Sequence, residues 1–122
     1  YVEEISLCEE YRLDDADVAV VAYGITARCA REVIDQLRGE GVRIGMLRLV
    51  TLWPFPEHAI RRVLSKVRTV IVPEINLGQI VHEVERCAGH GMRVAPVNYA
   101  GGCLPPYEDF SERIRRAAHG RE

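Results

Sequence analysis

The chain alternates between short, nearly continuous apolar runs and longer segments in which apolar residues recur every three or four positions. The runs predict strands that are covered on both faces, and the spaced segments predict amphipathic helices. We predict central strands at residues 18–23, 42–49 and 69–72 and a final strand at residues 92–97. A helix is expected after each strand, and this order predicts an α/β fold with a mostly parallel sheet and helices on both faces.

The helix after the first central strand illustrates the pattern. Gly24 ends the strand, and the hydroxyl of Thr26 is predicted to cap the helix. One side of the helix is apolar, through Cys29, Ala30, Val33, Ile34 and Leu37. The other side offers two ion pairs at i,i+4 spacing, Arg28–Glu32 and Arg31–Asp35.

The turn after the third central strand combines an acid, an amide, a glycine and a second amide: Glu74, Asn76, Gly78 and Gln79. In open α/β sheets, ligands and partners bind at the carboxyl ends of the strands. Asn76 is predicted to cap the next helix while Gln79 reaches back, as in a capping box. Glu74 then has no local explanation, and we expect this edge to meet a neighbouring domain rather than a substrate.

Two aromatic residues, Trp53 and Phe55, lie between Leu52 and Pro56 in a proline-containing segment after the second central strand. Each aromatic side chain can bury on the order of 150–250 Å², and tryptophan is enriched at interface hot spots. Two interpretations stay open. The pair packs under the edge of its own domain, or it contacts another domain or subunit.

Composition narrows the class of protein. Residues are 48% hydrophobic and 28% charged, with a formal net charge of -2. The sequence therefore gives no indication of a nucleic-acid partner, which would need a basic stripe. No apolar run approaches the roughly 20 residues of a membrane span, and four cysteines without a C-x-x-C pair predict reduced thiols in a cytoplasmic protein.

The acidic residues 1–13 predict a linker and edge strand, followed by one domain at 14–122. The chain starts without methionine, so we expect a fragment.

No complete active site is recognisable. The turn at Gly24 has one glycine where a dinucleotide fingerprint needs three, and a P-loop lysine and a G-x-S-x-G elbow are absent. A helix N-terminus stabilises an anion by about 0.3–1 kcal/mol, far below the roughly 8 kcal/mol of micromolar binding. The turns at Gly24 and Gly78 nevertheless leave one alternative open, a free-standing module that binds a small ligand or nucleotide.

Three segments then become recognisable in their order and spacing: V-V-A-Y-G at 20–24, L-R-L with T-L-W-P-F-P at 47–56, and E-I-N-L-G-Q at 74–79. They resemble the C-terminal domain of the alpha subunit of 2-oxoacid:ferredoxin oxidoreductases. The resemblance implies a transketolase C-terminal-like fold with α/β/α layers. Its five-stranded sheet has the order 1-3-2-4-5, and strand 1, at residues 7–13, is antiparallel.

The resemblance also implies a function. The family enzyme oxidatively decarboxylates a 2-oxoacid to an acyl-CoA, using thiamine diphosphate, Mg and an iron–sulfur cluster, and passes the electrons to ferredoxin. These cofactors belong to other domains or subunits. This chain is therefore expected to be a non-catalytic assembly domain beside the thiamine-binding domain of its own chain and a beta subunit.

Two details refine this expectation. The L-R-L segment resembles 2-oxoglutarate enzymes more than branched-chain ones. Ile25 stands where the family usually has a small hydroxyl residue, which argues against a polar role for that loop. The same fold also occurs in transketolase and in the beta chain of E1 dehydrogenases, and these stay open as alternatives.

Overall fold

The computed structural model describes residues 8–50, 56–74, 79–88, 92–98 and 106–120, with the backbone alone described at Gln79 and Asn98. Its strands are β1 (Cys8–Tyr11), β2 (Val18–Tyr23), β3 (Ile44–Leu49), β4 (Thr69–Glu74) and β5 (Arg93–Asn98). Its helices are α1 (Gly24–Gly39), α2 (Glu57–Leu64), α3 (Gln79–Cys87) and α4 (Tyr107–Ala118).

The strands form one sheet in the order β1-β3-β2-β4-β5. β1 pairs antiparallel with β3, and β2 pairs parallel with both β3 and β4. β5 completes the sheet parallel to β4. The predicted strand order and the antiparallel first strand are confirmed, and β1 occupies four residues of the predicted range 7–13.

Alternate residues of the central strands point to opposite faces and build two separate cores. On one face, the apolar sides of α1 and α4 cover Val18, Val20, Met46 and Ile71. On the other face, α2 and α3 cover Ala19, Val21, Leu47, Val70 and Val72. Each central strand is buried on both sides, which explains why its sequence is apolar without alternation.

The predicted end of the third central strand is wrong. The sequence placed it at residue 72, but β4 includes Pro73 and continues to Glu74. Pairing of β4 with β2 ends at Ile71, and beyond that residue only β5 pairs with it, with Pro73 opposite Val97. A proline is tolerated where one side of a strand has no ladder partner.

The sequence also predicted two ion pairs along the outer side of α1, Arg28–Glu32 and Arg31–Asp35. Neither forms between the described side chains. Asp35 instead accepts a hydrogen bond from the Tyr11 hydroxyl at 2.6 Å and lies 3.4 Å from the Arg12 guanidinium. The contacts of Asp35 with the β1 region therefore replace the predicted Arg31–Asp35 pair.

Arg38, near the end of α1, ties the β1–β2 connection to the sheet. Its Nε donates to the carbonyl oxygen of Ile44 at 2.8 Å, and its Nη2 donates to the carbonyl oxygen of Arg12 at 2.6 Å. The same guanidinium pairs with Asp15 at 2.7 Å. A Cβ on Gly45 would lie 2.4 Å from the Arg12 carbonyl oxygen, so glycine is required where this connection crosses β3.

We predict that Arg38→Ala lowers the free energy of unfolding by about 1.5–3 kcal/mol, because charge-assisted bonds to two backbone carbonyls are lost. Chemical denaturation of the purified chain measures this change. The control is Arg43→Ala, which removes only an exposed pair with Asp17 and is expected to cost about 1 kcal/mol or less. Equal effects of the two substitutions would contradict the assigned role of Arg38.

Candidate functional site

A buried carboxylate lies at the carboxyl edge of the sheet. Glu74, the last residue of β4, is only 1% exposed. The backbone N–H of Ile80 donates to its Oε1 at 3.0 Å and to its Oε2 at 3.1 Å, and the N–H of Val81 donates to Oε2 at 3.1 Å. Glu74 therefore caps the first turn of α3 from the end of the preceding strand.

This contact explains the one polar residue that the sequence left unexplained. The first backbone N–H groups of a helix have no partner within the helix, and they carry the positive end of its dipole. The sequence assigned the cap to Asn76, which lies outside the described residues. That assignment stays a prediction, while the N–H groups of Ile80 and Val81 donate to Glu74. Because both carboxylate oxygens of Glu74 bind its own chain, this acid is not presented to a substrate.

Tyr23 lies beside this carboxylate at the end of β2. Its ring packs against the core on the α2–α3 face, and burial, followed by the nearby negative charge of Glu74, raises the pKa of its hydroxyl. Pairing between β2 and β4 ends at Val20 and Ile71, so the two strand ends flank the crevice at the point where the strand order reverses. The sequence did not single out Tyr23.

The start of α1 differs from the prediction. The helix begins at Gly24, which has a φ of 60°, and Thr26 therefore falls within its first turn. The Thr26 hydroxyl is buried and donates to the carbonyl oxygen of Tyr23. The prediction that Thr26 caps the helix is wrong, because the capping position is Tyr23, three residues earlier, and no side chain caps the helix.

Two aliphatic side chains are exposed at the same edge. Ile25 follows β2 and is 56% exposed, and Val50 follows β3 and is 47% exposed. Tyr23 and Leu49, the last residues of these strands, are paired in the sheet, so the two aliphatic residues follow adjacent strand ends. The sequence marked Ile25 as unusual but gave no sign that Val50 would be exposed.

The other predicted edge residues are described only in part. Gln79 begins α3, and its backbone alone is described. Four of the candidates lie outside the described residues: Trp53, Phe55, Asn76 and Gly78. Their predicted roles at a domain or subunit interface stay predictions.

The described thiols do not form a ligand set for a metal or cluster. Cys8 lies in β1, Cys29 in α1 and Cys87 in α3, and burial raises the pKa of each thiol. Over residues 8–50, 56–74, 79–88, 92–98 and 106–120, no group of three His, Cys, Asp or Glu side chains converges as a metal site would require. These residues do not fit an iron–sulfur cluster, which needs several thiolates together.

The fold and this edge define a three-layer α/β domain of the transketolase C-terminal type. A 2-oxoglutarate:ferredoxin oxidoreductase from Magnetococcus marinus, solved with 2-oxoglutarate, coenzyme A and succinyl-CoA bound, superposes with a TM-score of 0.81. The match has 24% identity and covers 96% of this chain and 20% of the other. A split-gene transketolase, solved as an inactive tetramer of four beta chains, gives a TM-score of 0.74 at 18% identity. The match covers 93% of this chain and 41% of the transketolase chain.

The sequence defines the family more narrowly. Residues 16–110 match the family model of pyruvate:ferredoxin oxidoreductase core domain II, and the chain belongs to this family. Ketoisovalerate oxidoreductase subunit VorB of Methanothermobacter thermautotrophicus is 39% identical over 110 residues, which are 90% of this chain and 31% of VorB. 2-Oxoglutarate synthase subunit KorA of Methanothermobacter marburgensis is 40% identical over 101 residues, 83% of this chain and 27% of KorA.

The chain thus spans less than a third of the length of these relatives. The family resemblance seen in the sequence is confirmed, and so is the transketolase C-terminal-like fold. Within the part of the chain that the structure describes, no helix is long and apolar enough to cross a membrane.

We predict that Glu74→Ala lowers the free energy of unfolding by about 1–3 kcal/mol, because buried N–H donors of α3 lose their acceptor. Glu74→Gln keeps one carbonyl oxygen as an acceptor and should cost less. Denaturant titration of both variants measures the difference. Glu85→Ala on the exposed side of α3 serves as the control, and a Glu74→Ala variant as stable as this control would refute the capping role.

We further predict that Glu74→Gln lowers the pKa of Tyr23, because the nearby negative charge is removed, while burial still keeps it above the ordinary value. Tyrosinate absorbance during an alkaline titration, read against Tyr23→Phe, measures this pKa. Since folding raises it, the contribution of Tyr23 to stability is complete below the unfolded pKa of about 10 and is lost as the pH rises through the folded pKa.

Tyr107 provides an internal control for this titration. Its pKa is also raised, first by burial and then by Glu32, so the change at Glu74 should leave it in place. A Tyr23 pKa that is the same with glutamate and glutamine at position 74 would contradict the electrostatic coupling.

Proposed function

We propose that this chain is the non-catalytic assembly domain in the alpha subunit of a 2-oxoacid:ferredoxin oxidoreductase. The whole enzyme oxidatively decarboxylates a 2-oxoacid to an acyl-CoA and reduces ferredoxin. The observation that carries the proposal is the match of residues 16–110 to core domain II of this family. It is supported by a sheet edge whose buried acid, Glu74, binds its own helix.

The chemistry is supplied from outside this domain. Thiamine diphosphate with Mg and the iron–sulfur cluster are held by other domains or subunits, since the three described thiols do not fit a cluster. The contribution of this chain is to present a rigid, shaped edge to its neighbours. Ile25 and Val50 expose apolar surface there, and burial of such surface is the main driving force of protein association.

The direct partners in this proposal are the thiamine-binding domain of the same chain and a beta subunit. Coenzyme A and ferredoxin are partners of the whole enzyme. The loop-edge residues Gly24, Thr26, Gly78 and Gln79 shape the contact surface, and Trp53 and Phe55 are its aromatic anchors. We place residues 1–13 as linker and edge strand, residues 14–122 as the domain, and the enzyme in the cytoplasm.

The preferred substrate is 2-oxoglutarate. The sequence argument is the L-R-L segment at residues 47–49. The relatives with 2-oxoglutarate and ketoisovalerate in their names have almost equal identities of 40% and 39%, so identity alone does not separate the two substrates.

The test is an assay of the intact enzyme, in which this domain is part of the full-length polypeptide and the partner subunit is present. We expect 2-oxoacid-dependent dye reduction that requires coenzyme A and is faster with 2-oxoglutarate than with ketoisovalerate or pyruvate. Deleting residues 14–122 should abolish both activity and co-purification of the partner subunit.

A matched control separates assembly from general damage. Arg43→Ala, which changes an exposed ion pair on the opposite, amino-terminal edge of the sheet, should leave activity and subunit recovery unchanged. Full activity after removal of the domain would refute its role in assembly, and faster turnover of ketoisovalerate would refute only the substrate preference.

A further inference from the structure

A groove of about 540 Å³ runs between α1 and the β1–β3 edge of the sheet. We call it the α1 groove. Its lining includes three arginines, Arg28 and Arg31 from α1 and Arg48 from β3, together with the apolar surfaces of Tyr11 and Met46. A groove with arginines over an apolar floor has the composition of a protein contact, where arginine and tyrosine are enriched.

Two of the three arginines have no carboxylate partner among the described residues. Arg48 donates to the Glu9 carboxylate at 2.9 Å. The Arg31 guanidinium lies 4.4 Å from the centre of the Tyr11 ring, and Arg28 is exposed without an ion pair. The α1 groove therefore holds two arginines that form no ion pair with the described residues of the domain.

The other helices behave differently. On α2, Arg61 pairs with Glu57 and Arg62 with Glu10. Arg86 of α3 pairs with Glu57 and Glu83. On α4, Arg115 and Arg116 also have carboxylate partners. The described arginines of α2 and α3, together with Arg115 and Arg116 of α4, thus have carboxylate partners of the kind that Arg28 and Arg31 lack among the described residues.

The arginine at position 31 is also held in place before any partner arrives. Its flat guanidinium lies over the Tyr11 ring, and the Tyr11 hydroxyl is fixed by its bond to Asp35 at 2.6 Å. Stacking uses the face of a guanidinium and leaves its N–H donors at the edge available to a carboxylate. This pre-organisation lowers the entropy cost of forming a bidentate contact.

We propose that the α1 groove binds an acidic protein segment, supplied by another part of the assembled oxidoreductase, whose carboxylates contact Arg28 and Arg31. The identity of the partner rests on the proposed function. The chain spans less than a third of its relatives, and both sheet faces are already covered by its own helices, so contacts with the remaining protein must use edges and helix exteriors such as this one.

The charge balance favours a protein carboxylate over a phosphorylated small molecule. Glu9 and Glu10 also line the groove, and Glu9 already neutralises Arg48. A polyphosphate placed here would meet two carboxylates as well as the two free cations. One or two aspartate or glutamate side chains carry less negative charge than a polyphosphate, so they can pair with Arg28 and Arg31 while meeting less of that repulsion.

The test converts the two arginines into reactive probes. The intact complex is prepared with Arg28→Lys and Arg31→Lys, which keep the positive charge, and is treated with a carbodiimide that joins lysine amines to adjacent carboxylates. Mass spectrometry then maps the cross-links. Lys66 is the single lysine of this sequence. It is exposed in the turn between α2 and β4 and serves as the internal control.

We expect cross-links from position 28 or 31 to an aspartate or glutamate outside residues 1–122. In a parallel treatment with acetic anhydride, which acylates accessible amines, we expect severalfold slower acylation of these lysines than of Lys66. Acylation at the rate of Lys66 without external cross-links would overturn the proposal. Protection that appears only when coenzyme A or inorganic pyrophosphate is added would also overturn it, in favour of a phosphate site. Dye reduction by the same preparation reports separately on the proposed function.

Discussion

The capping of α3 by Glu74 is the contact on which the carboxyl edge of the sheet depends. A buried carboxylate is costly unless its oxygens are hydrogen-bonded, and here both oxygens accept from the backbone of the first helical turn. The contact fixes the start of α3 against the end of β4. It also places the negative charge of Glu74 near Tyr23, where that charge adds to the effect of burial and raises the pKa of the tyrosine hydroxyl.

This arrangement changes what the edge can do. In open α/β folds the crevice between diverging strand ends is the usual place for a ligand. In this domain its acid is used for structure, and the residues that remain exposed beside it are the aliphatic Ile25 and Val50. An edge with internal polar groups satisfied and apolar groups exposed is suited to contact with another protein surface, which agrees with an assembly role.

The sequence predicted the parts of the fold that depend on local patterns. The apolar runs located the central strands because each strand is buried on both faces, whereas the strand order came from the family resemblance and not from periodicity. The role of Glu74 was missed because caps are sought within the first turn of a helix, and this one comes from six residues upstream of Ile80. The contacts of Arg38 with Arg12 and Asp15 were missed for the same reason, since they join distant parts of the chain.

The surface of α1 shows what such non-local contacts imply for function. Its i,i+4 pairs were predicted from spacing, yet Asp35 is drawn to Tyr11 and Arg12 beside β1. That choice leaves Arg31 without its predicted partner, and Arg28 forms no ion pair with Glu32 among the described side chains, although both arginines line the α1 groove. Arginines without ion pairs among the described residues and exposed aliphatic side chains then both follow the ends of β2 and β3, while Arg61, Arg86 and Arg115 are paired within the domain. A surface that combines both features is the one that, in the proposed assembly, contacts the rest of the enzyme.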